Sequence, residues 1–223
     1  MRRLTCLVTV IGLAQWAVAD EAAKFRVLDL QPYCNQKRGD NMESNFDGNN
    51  LAKLPGGEQT FGGVGFQIEP GIIQLGSKVL EKQPDRVGGI KVESKFGKLH
   101  ILHATQYGGG PNKEGNPWFV KDGTIIGEYR VTYEDKSSVN IPIVYGEDVR
   151  DWFFVGGEME TVRSKIVWKG ENEWSTAVGA KIRLYLTTWK NPKVDKKVLT
   201  IDFTSKKAET VAAPFCVAIS LED

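Results

Sequence analysis

The sequence predicts an all-β protein built from two antiparallel sheets packed face to face. Three observations lead to this prediction. Helical periodicity is nearly absent after residue 19, runs rich in Val, Ile, Phe, Tyr and Thr recur along the chain, and clusters of Gly, Pro, Asn and Asp separate the runs. Many short strands of this kind bury their apolar faces by forming a β-sandwich.

Eleven strands are predicted along the chain. They are Lys24–Leu30, Gln59–Ile68, Ile72–Leu75, Arg86–Val92, Lys98–Thr105, Thr124–Glu134, Ser138–Val144, Lys165–Trp168, Lys181–Trp189, Val198–Thr204 and Pro214–Leu221. The longest connections are residues 32–58, 106–123 and 146–163. Connections of this length are often functional, so we expect a site among them.

The clearest local prediction is a hairpin from Thr124 to Gly146, with Glu134–Ser137 as its turn between two arms rich in β-branched and aromatic residues. Another strand, IRLYLTTW from Ile182 to Trp189, alternates in polarity. One of its faces is expected to be core and the other mixed.

The first 19 residues, MRRLTCLVTVIGLAQWAVA, have the three regions of a secretory signal peptide. Arg2 and Arg3 form the basic region, Leu4 to Leu13 the apolar region, and Ala17-Val18-Ala19 the small-residue cleavage site. The mature chain is expected to be a single domain, residues 20–223, exported to the periplasm or the exterior. A retained anchor is the alternative, but the apolar run is about half the roughly 20 residues that span a bilayer, so no membrane insertion is expected after cleavage.

The charge balance excludes an electrostatic binder of nucleic acid. The chain has 29 basic and 28 acidic residues, and removing Arg2 and Arg3 leaves 27 against 28, a net charge of −1. Such a chain has no field to steer an anionic polymer.

Two cysteines remain after the signal peptide, Cys34 and Cys216, and an even pair in an oxidising compartment indicates a disulfide. Two unrelated thiols, one of them a small core residue, remain the alternative.

The histidines and glycines do not form a recognisable catalytic or phosphate site. His100 and His103 lie three residues apart in a predicted strand and so point to opposite faces. Glycine clusters such as Gly62–Gly65 open no helix and are read as turns. The segment NFDGNN, Asn45–Asn50, spaces oxygen ligands as calcium loops do but lacks the later carboxylate of an EF-hand, so a surface loop is preferred and structural calcium is the one cofactor considered.

The densest group of contact residues follows the Ser138–Val144 strand, in the segment EDVRDW. We predict a ligand site of Asp148, Arg150, Asp151 and Trp152, with Trp118 and Trp174 from other loops as further platforms. Carboxylates and guanidinium groups bind sugar hydroxyls, and an indole ring packs on the C–H face of a pyranose. The alternative is structural: Trp152 fills the core and Arg150 pairs with Asp148 or Asp151.

Paired carboxylates could also hydrolyse glycosides, and five candidates lie in this region. They are Glu147, Asp148, Asp151, Glu158 and Glu160. Nothing distinguishes an acid from a base among them, so we expect a protein that is not an enzyme.

A series of motifs resembles an exported bacterial family of jelly-roll domains similar to galactose-binding domains and carbohydrate-binding modules. The motifs are LPGGEQTFGGVGFQI, IQLGS, LHILHAT, IPIVYGEDVRDW, IRLYLTTWKNP, TIDFTS and AAPFCVAISLE, and they extend from Val27 to Leu221. The resemblance implies a two-sheet jelly-roll β-sandwich whose first and last strands are neighbours, which favours the Cys34–Cys216 bridge. The stretch 108–123 departs from the family pattern, so Trp118 belongs to this chain's own surface.

These observations predict a secreted, non-catalytic module that binds carbohydrate or a cell-surface glycan. Fold resemblance alone does not define a ligand, so two alternatives stay open. One is an envelope domain that binds a protein partner through an exposed sheet edge, and the other is a polysaccharide hydrolase.

Overall fold

The computed structural model describes residues 25–42, 46–109 and 117–223. The predicted signal peptide and the proposed first mature residue, Asp20, lie outside these ranges. Within them the chain is all-β, its strand pairs are antiparallel, and its sheets are consistent with a β-sandwich. No helix in the described ranges is both long and apolar enough to cross a bilayer.

Fourteen strands and one short α-helix make up the described chain, with a 3-10 turn at Gln31–Tyr33. The strands are β1 Phe25–Val27, β2 Gln36–Lys37, β3 Gly57–Phe61, β4 Val64–Ile68, β5 Gly71–Gln74, β6 Arg86–Ser94, β7 Lys98–Gln106, β8 Ile125–Tyr133, β9 Ser138–Val144, β10 Phe153–Phe154, β11 Ser164–Gly170, β12 Lys181–Lys190, β13 Val198–Ser205 and β14 Ala213–Glu222. The helix, α1, is Glu173–Ala177.

The larger sheet has eight strands and is centred on β7, which pairs with β12 on one side and β14 on the other. The remaining strands extend these two neighbours: β10 and β11 pair with β12, β1 and β5 pair with β14, and β2 pairs with β5. The pairing of β1 with β14 confirms that the first and last strands are neighbours.

The smaller sheet has four strands in the order β6-β13-β8-β9, and it packs on the inner face of the larger sheet. Tyr129 of β8 marks the contact, since its ring stacks on Phe203 of β13 and lies 6.0 Å from the His103 ring of β7. All three side chains are buried. This is the main hydrophobic core, where burial of apolar and aromatic area supplies most of the stability.

A third layer covers the outer face of the larger sheet and corrects one prediction. Residues 59–68 form the β3–β4 hairpin instead of one strand, because the chain reverses at Gly62 and Gly63, both with positive φ. A Cβ at Gly62 would lie 3.0 Å from Leu186 of β12. The hairpin therefore covers the face of β12 that carries Leu186. The other face, which was expected to be mixed, carries Thr187, whose hydroxyl contacts His103 between the two sheets. Side chains 182–187 are consequently buried on both faces.

The other predicted strands are confirmed to within a few residues, including the hairpin of β8 and β9 with its turn at Glu134–Ser137. Elements that were not predicted are short: the strands β2 and β10 and the helix α1. Each has five residues or fewer, too short for a hydrophobic period to show.

The predicted disulfide is corrected, because the structure contains Cys34 and Cys216 as free thiols. The Cys34 thiol donates to the Leu30 carbonyl at 3.3 Å. The Cys216 thiol lies 3.8 Å from the Ala218 carbonyl, and burial raises its pKa to about 12. Cys216 is thus a small core residue, as the alternative interpretation had it.

Candidate functional site

A cleft of about 270 Å³ lies beside the end of β7, where the loop regions singled out in the sequence converge. It is lined mainly by aromatic side chains, with one carboxylate and two carboxamides. The lining residues are Phe46, Asn49, Gln106, Tyr107, Gly109, Trp118, Asp151, Trp152, Phe153, Val155 and Trp174. Four of the six predicted ligand residues, Asp151 and the three tryptophans, are therefore brought together.

Two aromatic pairs border the cleft. The rings of Phe46 and Trp174 are stacked, with centroids 4.3 Å apart and planes inclined by 26°. Those of Tyr107 and Trp118 are tilted, with centroids 5.2 Å apart. Phe46 and Trp174 are half-buried, and Trp118 is 41% exposed, so these rings retain surface that a ligand can cover.

Trp152 belongs to the core and also borders the cleft. It is only 2% exposed and meets Phe215 of β14 edge to face, with ring centroids 6.1 Å apart, so it fills the core. It also lines the cleft. Because so little of its ring is accessible, Trp152 shapes the base of the site, and the more exposed Trp118 and Trp174 offer the larger contact surfaces.

The Asp151 side chain holds two segments of the cleft wall in place. Its carboxylate accepts hydrogen bonds from the Gly108 amide at 2.9 Å and the Phe153 amide at 3.0 Å. Burial raises the pKa of this carboxyl group to about 6, although both amides and the nearby Arg183 oppose the rise. Asp151 therefore carries most of its negative charge at neutral pH in a poorly solvated place.

The helix α1 places Trp174 through a capping arrangement that can be read in the sequence NEWS. Asn172 caps the helix by accepting from the Ser175 amide at 2.7 Å, and the Ser175 hydroxyl accepts from the Asn172 amide. The Asn172 side chain also donates to Asn49 Oδ1 at 3.0 Å. The same residue thus starts the helix and ties it to the loop that carries Phe46.

The position of Trp118 depends on Gly109. The Val120 amide donates to the Gly108 carbonyl at 3.1 Å, which draws the two arms of this connection together. Gly109 has a φ of 61°, and a Cβ there would collide with the backbone of Trp118 and Phe119. Glycine is therefore required for this approach. Residues 110–116 of the connection lie outside the described ranges.

Arg150 and Asp148, the other two predicted ligand residues, do not line the cleft. The Arg150 guanidinium is 3% exposed and binds Asp122 with both terminal nitrogens, at 2.9 and 2.7 Å. Arg150 thus forms an internal ion pair, as the structural alternative predicted. Its partner is Asp122, whereas Asp148 or Asp151 had been expected. Asp148 accepts from the Val144 amide at 2.8 Å and from Arg163.

The remaining acidic candidates are also engaged in structural contacts or exposed. Glu147 pairs with Arg163 at 3.2 Å, and Glu158 forms a buried ion pair with Arg183. Glu160 is exposed. Apart from Asp151, none of the five lines the aromatic cleft.

The histidines point to opposite faces, as predicted. His103 faces the smaller sheet, bonded to Thr187 at 2.9 Å, and burial lowers its pKa to about 3. His100 lies on the outer face, where it contacts Thr188 at 2.8 Å.

The segment predicted as a surface loop with a calcium alternative is held by its own hydrogen bonds. Asp47 accepts from Asn41 at 3.2 Å, and Asn50 accepts from the Ala52 amide at 3.0 Å. Asn45 lies outside the described residues. Across the described chain, no three His, Cys, Asp or Glu side chains are grouped as metal ligands.

Both edges of the smaller sheet carry features that hinder the addition of another strand. On β6, the Tyr33 hydroxyl donates to the Gly89 carbonyl at 3.0 Å and accepts from the Lys91 amide at 3.1 Å. On β9, Pro142 is exposed and lacks an amide donor. Covered backbone groups and edge prolines are common protections against edge pairing.

Sequence reasoning missed Phe46, Tyr107, Asn49 and Gln106 as lining residues. Phe46 and Asn49 lie in the segment 45–50, which was predicted to be a surface loop with a calcium site as the alternative. Tyr107 directly follows β7, which ends at Gln106, and an aromatic residue at the end of a predicted strand was the sequence signal for it. Its positive φ is a finding of the structure.

The chain is thus an all-β protein with an aromatic cleft at the end of its larger sheet. Comparison with family models, with curated proteins and with solved structures gave no match.

Proposed function

We propose that this chain is an exported, non-catalytic β-sandwich that binds carbohydrate in the aromatic cleft. The observation that carries the proposal is the convergence of Trp118, Trp152 and Trp174 with Asp151 in one cleft. These residues come from three separate connections, so their meeting is a product of the fold and not of sequence proximity.

The chemistry of the lining suits a sugar. Partly exposed indole and phenyl faces pack on the apolar C–H face of a pyranose, and a carboxylate with two carboxamides offers acceptors and donors for hydroxyl groups. Ligand sites are typically apolar clefts with a few polar groups that fix orientation. At about 270 Å³ the cleft is just below the roughly 300 Å³ lower limit for drug-sized ligands, so it suits one or two sugar rings.

Export and the jelly-roll, galactose-binding-like topology are part of the same proposal. Export is supported by the basic, apolar and small-residue regions of residues 1–19. The topology is supported by the motif order from Val27 to Leu221 and by the pairing of β1 with β14.

A protein partner in the cell envelope is the second candidate. It is favoured by three exposed apolar side chains in one connection: Val155 is 59% exposed, Met159 69% and Val162 77%. Such a group is typical of contact surfaces when it is contiguous. Hydrolysis is not favoured, because Asp151 is the sole cleft carboxylate among the described residues and two amides already bind it.

A glycan array of the chain from Asp20 onward tests the proposal. We expect a saturable signal that Trp174→Ala abolishes and Trp189→Ala retains, since Trp189 is a half-buried residue of β12 outside the cleft. A calcium and a chelator arm tests for a metal requirement. A blank array from folded protein, together with stoichiometric recovery of one protein in a pull-down, would contradict the proposal and favour the hypothesis of a protein partner.

A further inference from the structure

The charges around the cleft indicate which class of sugar it would accept. Of the residues that line the described part of the cleft, Asp151 alone is ionisable near neutral pH, and none is Lys, Arg or His. Among the described lining residues, an acidic sugar would therefore meet no cation for its carboxylate, and its desolvation would be uncompensated there.

The cations behind the cleft are each bound to another carboxylate. Arg150 is held by Asp122 through both terminal nitrogens, and Arg183 forms its buried ion pair with Glu158. Arg183 additionally donates to the backbone carbonyl of Asp151 at 2.9 Å, not to its carboxylate. Each ion pair is neutral, so Asp151 adds a charge of −1 to these five described residues, Asp122, Arg150, Asp151, Glu158 and Arg183.

The aromatic rings, like the negative charge of Asp151, favour a cationic ligand. Trp174, Trp118 and Phe46 present π-faces, and an ammonium group over an indole face is attracted by the ring quadrupole, more strongly where water is excluded. The protein already makes this type of contact next to the cleft, where the Arg183 guanidinium lies 4.3 Å from the centroid of Phe154.

We infer that the cleft selects sugars carrying a free ammonium group, such as glucosamine units, over neutral N-acetylated sugars and over uronic acids. The inference rests on the proposed function, since it names the class of sugar for the same site. It deepens that proposal because the packing of a sugar C–H face on an aromatic ring does not by itself distinguish neutral from cationic pyranoses, whereas the Asp151 charge and the ring quadrupoles do.

Three trisaccharides of equal length test the inference by calorimetric titration at pH 7 and low salt: glucosamine, N-acetylglucosamine and galacturonic acid trimers. We expect the glucosamine trimer to bind about tenfold more tightly than the N-acetylated trimer, and the galacturonic acid trimer to bind most weakly. The preference should shrink at high salt, because screening weakens the Coulomb contribution.

Asp151→Asn provides the matched variant, and it should reduce the preference for the amine to about twofold or less while the neutral trimer still binds. If this variant does not fold, the wild-type salt dependence tests the charge contribution, and a preference for the amine that high salt does not reduce would overturn the inference. Equal binding of the cationic and neutral trimers, or tighter binding of the acidic trimer, would overturn the inference and leave the proposed function standing. Binding of none of the three, with a blank array, would overturn both.

Discussion

Two aromatic stacks in this molecule have similar geometry and opposite surroundings. Tyr129 and Phe203 stack between the sheets with centroids 4.6 Å apart, and both are fully buried. Phe46 and Trp174 stack beside the cleft with centroids 4.3 Å apart, and both are half-buried. The contact is of the same kind, so solvent access decides its role: the first stack stabilises the sandwich, and the second keeps ring surface available to a ligand.

Removing the buried stack should have the largest effect. Phe203→Ala leaves a cavity between the sheets, and we expect it to lower the free energy of unfolding by about 3–5 kcal/mol. Urea denaturation measures this change. A loss below about 1 kcal/mol would contradict the assignment of this stack to the core.

The next effect concerns Asp151 and pH. Its folded-state pKa is raised to about 6 from the ordinary 3.8, so the folded chain holds this proton more tightly than the unfolded chain between about pH 4 and 6. The stability that this group contributes is therefore present below about pH 4 and is lost as pH rises through 6, by up to about 3 kcal/mol.

Urea denaturation of the wild type and of Asp151→Asn at pH 4, 5, 6 and 7 measures this dependence. Burial also raises the pKa of Asp148, so the pH dependence of the wild type alone would mix both groups. The comparison therefore uses the difference in free energy of unfolding between the wild type and Asp151→Asn at each pH. This difference in free energy of unfolding should change steadily from pH 4 to pH 7, as the wild type loses the stability that protonated Asp151 contributes. A constant difference would contradict the pKa of Asp151.

Arg150→Ala separates a residue predicted as a ligand from those that line the cleft. Its loss leaves Asp122 without its bidentate partner, and we expect about 2 kcal/mol of destabilisation, less than for a fully buried pair because Asp122 is partly exposed. Sugar affinity of the folded fraction should stay unchanged. Arg130→Ala, on the exposed face of β8, is the matched control and should change neither quantity. A selective loss of affinity in Arg150→Ala would return this residue to the site.

The cleft stack should matter least to stability. Trp174→Ala removes a half-buried contact worth about 1 kcal/mol, while it removes one of the two larger ring surfaces that we assign to the ligand. Denaturation and titration of the same sample measure the two effects together. Destabilisation comparable to that of Phe203→Ala would remove the distinction between the two stacks.

The architecture was largely predictable from local patterns, whereas the site was predictable only in part. Runs of β-branched, aromatic and other apolar residues between turn residues located β7, β8, β12 and β14, and β7 and β14 are buried along nearly their whole length. The third layer was missed for another reason: residues 59–68 were assigned to one strand although Gly62–Gly65 had been interpreted as a turn, and a Gly-Gly pair between two strand-forming arms indicates a hairpin.

Within the site, residue type pointed to Trp118, Asp151 and Trp174, but it also pointed to Asp148 and Arg150. These two are drawn away by long-range partners, Arg163 and Asp122, which are 15 and 28 positions distant. Charge patterns within one segment cannot reveal such pairings. The prediction of a disulfide was wrong for a related reason. The pairing of the strands at the two ends of the chain does not determine where each thiol points.

Nuclear magnetic resonance of the indole N–H groups tests the central claim most directly, because the tryptophans outside the cleft serve as an internal control. Five tryptophans follow residue 19: three line the cleft, and Trp168 and Trp189 do not. The glucosamine trimer and its N-acetylated counterpart are titrated into ¹⁵N-labelled protein, with resonances assigned by single Trp→Phe variants. We predict saturable shifts for Trp118, Trp152 and Trp174 with at least one of the two sugars, and none for the others. Shifts confined to Trp168 and Trp189, or no shift with either sugar, would contradict the assignment of the aromatic cleft as a sugar site.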